Sequence, residues 1–517
     1  MKGTTISLSD QSAAVLGDWH LRDSQRILLD QLDEERPRLA LLEAPTGIGK
    51  SLLAMTYGEL LGVRTAVLTA TISLQHQYER DFDVTVMKGR ANYPCLDNEM
   101  TAAEGTCQVK KDFRCESPYY EMRQACRGAR RLVSNYALYM NELYYGRPPW
   151  VTKEDATIDL LVCDEGHRML DLLTDFEVMR LDAKLTTKLG IRNDGGWGSL
   201  LDAQEWAEDN KDEIAELRLM AILDRRKTAR DWTALHRQVA AMAEVSPNLI
   251  TLKTGEVVEG SPLWPHHAAE RLFRSAKKVL VMSATLYGGD ELAELLGYHL
   301  LEGVDLKFYT TPSPFPAHRW PVYFRPAGYP SHKNPSEWDK IALAVHEYVH
   351  TRTEEKGVIH VSAKNQVERV LAGVRACGDC TQRVIAPAVQ RNGAAESRAD
   401  LLTRFRNEDA GTWLCHYSVG EGEDFKDDTA RIQLIAKVPY PDLGDKLTKL
   451  RSEEPGVGRR MYAAMTAAKI AQMAGRGMRH EGDYCETIIL DGNFGRLWKW
   501  NQDVFPAWFG PILQFGG

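Results

Sequence analysis

Short apolar, β-branched runs alternate with stretches of helical periodicity along most of this chain. Leu39-Ala40-Leu41-Leu42, Arg64 to Ala70, Val84 to Met87, Leu132 to Tyr136, Leu160 to Cys163 and Val279-Leu280-Val281-Met282 read as strands. Their alternation with helical patterns predicts a parallel sheet flanked by helices. Leu170 to about Val245 breaks the pattern: it is rich in Asp, Glu, Leu, Ala and Arg with few strand formers, and reads as a helical insertion. A second alternation begins after the proline-rich Thr311-Pro312-Ser313-Pro314-Phe315-Pro316. Its strands are Val358 to Val361, Trp413 to Tyr417, Ile432 to Val438 and Thr487 to Leu490. Two α/β cores, with insertions confined to the first, are the simplest account.

Composition bounds this picture without changing it. At 517 residues the chain is long enough for two to four domains with full cores. Charged residues at 26% and hydrophobic ones at 44% match a soluble globular protein. No apolar run approaches a membrane span, and Met1-Lys2-Gly3-Thr4 begins no signal peptide, so no membrane partner and a cytoplasmic location are expected. Nine Cys, an odd number, argue for reduced thiols or metal ligands rather than disulfides. A net charge of -8 neither announces nor excludes nucleic acid, because total charge does not report on a local basic groove.

The chemistry starts at Glu43-Ala44-Pro45-Thr46-Gly47-Ile48-Gly49-Lys50-Ser51. A strand, a glycine-rich turn and a helix opening on Lys-Ser make a phosphate cradle. Backbone N–H groups around Thr46, Gly47 and Gly49 face the phosphate oxygens, Lys50 reaches the β/γ-phosphates and the Ser51 hydroxyl ligates Mg²⁺. ATP and Mg²⁺ are the expected cofactors. Leu160 to Asp164 is a buried-type strand ending in the adjacent carboxylates Asp164 and Glu165, expected beside the phosphate-loop strand. Asp164 suits metal binding, and Glu165 suits orienting or deprotonating the attacking water. In the second core, Gln472-Met473-Ala474-Gly475-Arg476-Gly477-Met478-Arg479 places two arginines three residues apart, on one predicted helical face. Their planar, permanently charged forks suit a transferring phosphoryl group.

Phosphate loop, Asp-Glu-x-His, Ser283-Ala284-Thr285 and Gln-x-x-Gly-Arg-x-x-Arg stand in the order used by superfamily 2 helicases. More narrowly, the chain resembles the XPD/DinG family of iron–sulfur DNA helicases, and the resemblance covers nearly its whole length. Lys88 to Cys95 looks like the start of that family's cluster domain and Ser134-Asn135-Tyr136-Ala137-Leu138 like its end. Ser418 to Phe425 and Val438-Pro439-Tyr440-Pro441 look like segments of its second core. In Asp164-Glu165-Gly166-His167 the usual Ala is replaced by Gly166, a conservative departure. The resemblance implies two RecA-like parallel-sheet domains with an Fe–S insertion and a helical Arch-like insertion in the first. The implied division is 1–90, 131–168 and 263–316 for the first core, 91–130 for the cysteine-rich insertion, 169–262 for the Arch-like insertion and 317–517 for the second core. By position, Arg22 and Gln25 would read adenine, Thr69, Thr71 and Gln75 would touch the phosphates of the strand, and Asp424 would lie near the ribose or γ-phosphate. Gln472 would join Arg476 and Arg479 in catalysis, while His167, Ser283 and Thr285 would relay nucleotide state to the nucleic-acid side.

Cys95, Cys107, Cys115 and Cys126 cluster in the segment where the family carries its [4Fe–4S] centre. Four thiolates also suit zinc. Cys115 stands two residues too far from Pro118-Tyr119-Tyr120 for the family pattern, which makes Cys126 the fourth ligand. Cys126 shares a helical face with Tyr119 and Met122, and a buried structural thiol would look the same. Cys377-Gly378-Asp379-Cys380 is another half-site, but no second Cys pair accompanies it, so it reads as a reduced loop pair.

These readings converge on an ATP-dependent DNA helicase, monomeric, moving along single-stranded DNA and opening forked or tailed duplexes. The 5′→3′ direction is implied by the resemblance. The alternative, a nucleic-acid-stimulated ATPase that remodels protein–DNA complexes or RNA without processive unwinding, shares every motif.

Overall fold

The computed structural model describes residues 20–96, 100–105, 117–145, 158–193, 195–224, 227–244, 249–331, 334–387, 396–417, 425 and 427–516. The first core is a seven-stranded parallel sheet. It takes β1 (Leu39–Glu43), β2 (Thr65–Thr69), β3 (Thr85–Val86), β4 (Arg131–Asn135) and β5 (Ile158–Asp164) before the chain leaves it. The departing segment pairs β6 (Met179–Asp182), β7 (Ile250–Lys253) and β8 (Val257–Ser261) into a small antiparallel sheet. The chain then returns as β9 (Ala276–Ser283) and β10 (Leu306–Thr310), completing the order β10-β1-β9-β5-β2-β4-β3.

β1, β2 and the last five residues of β9 are buried throughout, as strands covered by helices on both faces must be. The acidic strand is not the neighbour of the phosphate-loop strand. β9 lies between β1 and β5, with Ser283 opposite Glu43 and Met282 opposite Asp164. The physical reason is its sequence: Val279-Leu280-Val281-Met282 is apolar on both faces, which suits the sheet centre, and the long crossover lets it return there.

The insertion is helical over Leu200–Leu223 and Ala229–Ala243, which pack together through Ala203, Ala207, Ala221, Trp232, Leu235 and Val239. The three antiparallel strands close it, so it is a mixed unit rather than a purely helical one.

The second core repeats the first design with β11 (Val322–Gly328), β12 (Gly357–His360), β13 (Val384–Ile385), β14 (Trp413–His416), β15 (Ile432–Ile435), β16 (Glu486–Asp491) and β17 (Leu513–Phe515). The order is β13-β14-β12-β15-β16-β11-β17, and every pairing is parallel. Several contacts tie it to the rest. Trp508 Nε1 donates to Ala284 O at 3.0 Å, Arg451 donates to Thr174 Oγ1 at 2.7 Å, and Arg460 pairs with Glu291. Among the described residues no helix is long and apolar enough to cross a membrane.

Candidate active site

β1 ends on Glu43, and the chain turns through Gly47 (φ 77°) and Gly49 (φ 86°), left-handed conformations that favour glycine. Gly49 then caps the helix Lys50–Leu61 without any side-chain hydrogen bond. The first-turn N–H groups of that helix thus face the turn with no side-chain cap, as a phosphate site requires. Lys50 Nζ donates back to Ala44 O at 3.0 Å and Pro45 O at 3.3 Å. Burial lowers its pKa, Glu165 and Asp164 work against that, and Arg479 and Arg476 add to it. Carboxylates of the first core and arginines of the second therefore act on one ammonium group.

Asp164 accepts from the Tyr78 hydroxyl at 3.0 Å and from the Glu165 N–H at 2.8 Å. The Tyr78 hydroxyl also meets the Ser51 side chain, so the two expected Mg²⁺ ligands converge on one fully buried tyrosine. Glu165 itself sits in the left-handed region at φ 53°, a conformation uncommon for a residue other than glycine. Burial and the Glu165 charge push the Asp164 carboxyl up, and Lys50 opposes them. Burial would raise Glu165 too, but His167, Lys50 and Arg476 outweigh it and hold it down. Neighbours thus push adjacent carboxyls in opposite directions, an arrangement that separates their roles.

His167 Nδ1 lies 2.8 Å from Ser283 Oγ and 3.3 Å from Glu165 Oε2. The Tyr287 hydroxyl donates to its carbonyl at 2.5 Å. Two residues beyond Ser283, Thr285 Oγ1 accepts from Gln472 Nε2 of the second core at 3.0 Å, with both residues buried. A chain of contacts therefore runs from Glu165 through His167 to Ser283, and from neighbouring Thr285 to the other core. Gly166 is more than a conservative departure. A Cβ there would lie 2.4 Å from Val281 Cγ1, so this packing has no room for alanine.

The arginine segment departs from the expected helix. The helix Gly458–Ala474 ends at Gly475, a 3₁₀ turn covers Gly475–Gly477, and Met478 is extended. Arg476 and Arg479 thus do not share a helical face. Two glycines so close together disfavour helix, and a Cβ at Gly477 would collide with Cys485. The segment still reaches the phosphate loop. Thr46 Oγ1 donates to Gly475 O at 3.1 Å, and a Cβ on Gly47 would stand 3.1 Å from Arg479 O and 2.7 Å from the Phe315 ring. Buried Asp483 fixes the far side, accepting from Arg479 N at 3.2 Å and Arg431 Nη1 at 2.7 Å.

Arg22 and Gln25 lie on the loop itself. Arg22 Nη1 donates to Gly47 O at 2.6 Å, and Gln25 Nε2 to Ile48 O at 2.8 Å. Thr69, Thr71 and Gln75 do not form a shared surface. Thr69 and Gln75 are wholly buried, because Thr69 closes an interior strand and Gln75 is on the inner face of the helix Ile72–Asp81. Thr71 is half-buried and caps that helix by accepting from Leu74 N at 3.3 Å. Cys95 and Cys126 are both buried in an apolar cluster that runs through both cores, and burial pushes the Cys126 thiol up to about 11. Cys107, Cys115 and Asp424 lie outside the described residues, and the neighbouring Phe425 N donates to Arg476 O at 3.2 Å. Tyr78, Phe315, Asp483 and Trp508 had no motif to announce them.

Residues 346–512 match the helicase C-terminal domain family. Across 96% of this chain and 100% of the other, the fold superposes on an XPD helicase structure with a TM-score of 0.65 at 13% identity. Xpd4 of S. tokodaii gives 0.59 at 14% identity over the same shares. The chain has the fold of these XPD helicase structures. Among curated proteins, the chain is 30% identical over 122 residues to a regulator of telomere elongation helicase 1 homolog from Culex quinquefasciatus. It is 26% identical over 108 residues to the one from Caenorhabditis briggsae. Those stretches span 20% and 18% of this chain, and 12% and 11% of the relatives' length.

Proposed function

We propose that this protein is an ATP-dependent DNA helicase that hydrolyses ATP between its two cores and moves along single-stranded DNA. The observation that carries the reading is the seating of Gly475 to Arg479 on the phosphate loop, through Thr46 and against Gly47. A nucleotide bound there would meet Lys50 from one core and Arg476 and Arg479 from the other. Its loss on hydrolysis would alter contacts that hold the cores together.

In this reading Glu165 orients the attacking water, with His167 holding its carboxylate in place. A carboxylate held this acidic is a better hydrogen-bond acceptor than proton store. Ser51 and Asp164 would hold Mg²⁺, which supplies charge neutralisation of the phosphates when bound. Ser283, Thr285 and Gln472 would carry nucleotide state between cores. Arg22 and Gln25 would brace the loop and face the base, and Asp424 would serve the ribose or γ-phosphate.

The direction, 5′→3′, and the [4Fe–4S] centre on Cys95, Cys107, Cys115 and Cys126 belong to the same proposal and rest on family resemblance. Of the four thiols, two are described. Both are buried, and Cys126 sits where burial favours the neutral thiol.

The test is ATP turnover with and without single-stranded DNA, followed by unwinding of 5′-tailed, 3′-tailed and forked duplexes. Stimulated turnover with unwinding of 5′-tailed and forked substrates is expected. Stimulated turnover without unwinding would replace the helicase reading by a remodelling ATPase.

A further inference from the structure

The pair Cys377 and Cys380 is not an isolated loop pair. Cys377 is the N-cap of the helix Gly378–Arg383, and Cys380 lies fully buried in its first turn. The helix Ser336–Thr351 carries His346 and His350, one turn apart on one face. The Lys364–Val374 helix brings the two elements together, so that one ligand atom from each of the four residues lies within 4.8 Å of every other. His350 Nδ1 is 3.5 Å from Cys380 Sγ and 3.9 Å from Cys377 Sγ.

We propose that His346, His350, Cys377 and Cys380 bind a structural zinc ion that staples these helices on the outside of the second core. Zn–S bonds of about 2.3 Å and Zn–N bonds of about 2.0–2.1 Å in a tetrahedron require ligand–ligand edges of roughly 3.3–3.8 Å. The His350–Cys380 distance of 3.5 Å falls within those edges, and the His350–Cys377 distance of 3.9 Å lies just beyond them. Binding displaces both thiol protons to solvent, and the two thiolates neutralise the Zn²⁺ charge while each imidazole gives a lone pair. His346 Nε2 is buried with no hydrogen-bond partner among the described residues, and one of the two ring nitrogens of His346 is among the four converging ligand atoms.

Outside the tetrad, Arg383 Nη2 lies 3.9 Å from Cys380 Sγ and Arg383 Nη1 donates to Arg352 O at 3.2 Å, which fixes the sulfur from behind. An iron–sulfur centre of the Rieske type would place the Cys pair and His pair on different irons, whereas these four atoms surround one point. The site shares no residue with the nucleotide cleft.

The test uses full-length protein purified under reductant, with zinc and iron measured per chain. Cys377→Ser and His346→Ala should each remove one equivalent of zinc and leave iron unchanged. The zinc absorption edge of the unaltered protein should report two sulfur and two nitrogen neighbours, a readout that needs no variant to fold. Unchanged zinc in both variants would overturn the proposal, as would an all-sulfur shell. So would a reduced protein that takes up no added Zn²⁺ and instead forms a Cys377–Cys380 disulfide in air.

Discussion

The two cores share an architecture, yet a buried carboxylate at the end of an inner strand does opposite things in them. In the second core, Asp491 closes β16 and is fully satisfied. It accepts from Lys437 Nζ at 2.7 Å, Val438 N at 2.9 Å and Asn493 N at 2.9 Å. In the first core, Asp164 closes β5 with a tyrosine hydroxyl and one N–H, beside a second carboxylate. A buried carboxylate matched by its own cation stabilises a loop, whereas one left beside a like charge awaits an external cation. In the proposed mechanism the second core contributes instead from a broken helix end, Gly475 to Arg479.

The largest effects should come from breaking this division of labour. Asp164→Asn and Lys50→Ala are expected to remove ATP turnover, by about a thousandfold or more. Asp491→Asn should cost about 3 kcal/mol of stability by stranding Lys437, while turnover per folded molecule survives. Denaturant melts alongside steady-state hydrolysis separate the two; if Asp491→Asn abolishes turnover in folded protein, the contrast fails. Next, Arg476→Ala and Arg479→Ala should each lower kcat by about a thousandfold with ATP affinity nearly intact. Normal turnover in both would make them packing residues.

Glu165→Gln should bind ATP normally and lose about a hundredfold or more in turnover, because a neutral amide lacks the charged acceptor that orients the attacking water. Smaller still, Gln472→Ala removes one buried hydrogen bond between the cores. It should cut DNA stimulation of turnover about tenfold and leave basal hydrolysis less affected; equal losses in both would argue against a coupling role.

The last prediction concerns pH. Burial pushes Glu43 up to about 7 from an ordinary value of 4.5, against the N–H groups of Leu286 and Ala507. Its contribution to stability is fully present below 4.5 and is lost as pH rises through 7. The unaltered protein should therefore lose up to about 3 kcal/mol relative to Glu43→Gln between pH 4.5 and pH 8. Parallel melts at the two pH values check this, and identical slopes would remove the assignment.

Much of the site was legible because its motifs are local. A glycine turn before Lys50-Ser51 and adjacent acids after an apolar strand need only neighbours in sequence. Gly475 and Gly477 were also visible, and their low helix propensity was the signal that Arg476 and Arg479 would leave the helix. The burial of Thr69 and Gln75 was not legible, because burial depends on what covers a strand end. Cys377 and Cys380 were visible as a pair, but their partners His346 and His350 stand a helix away. Counting cysteines cannot find a site whose other half is histidine.

The sequence by itself determined two α/β cores, the nucleotide loop, the acidic pair and an arginine segment. Each of these follows from periodicity or from donors within one turn of chain. Tertiary structure alone decided that β9 separates β1 from β5, bringing Ser283 to His167. It also decided that Gly475 would meet Thr46, that Tyr78 would join Ser51 to Asp164, and that two helices of the second core would bring their thiols and imidazoles together. These are contacts between residues far apart in sequence, set by how sheets stack and helices pack, and no local pattern encodes the distance between them.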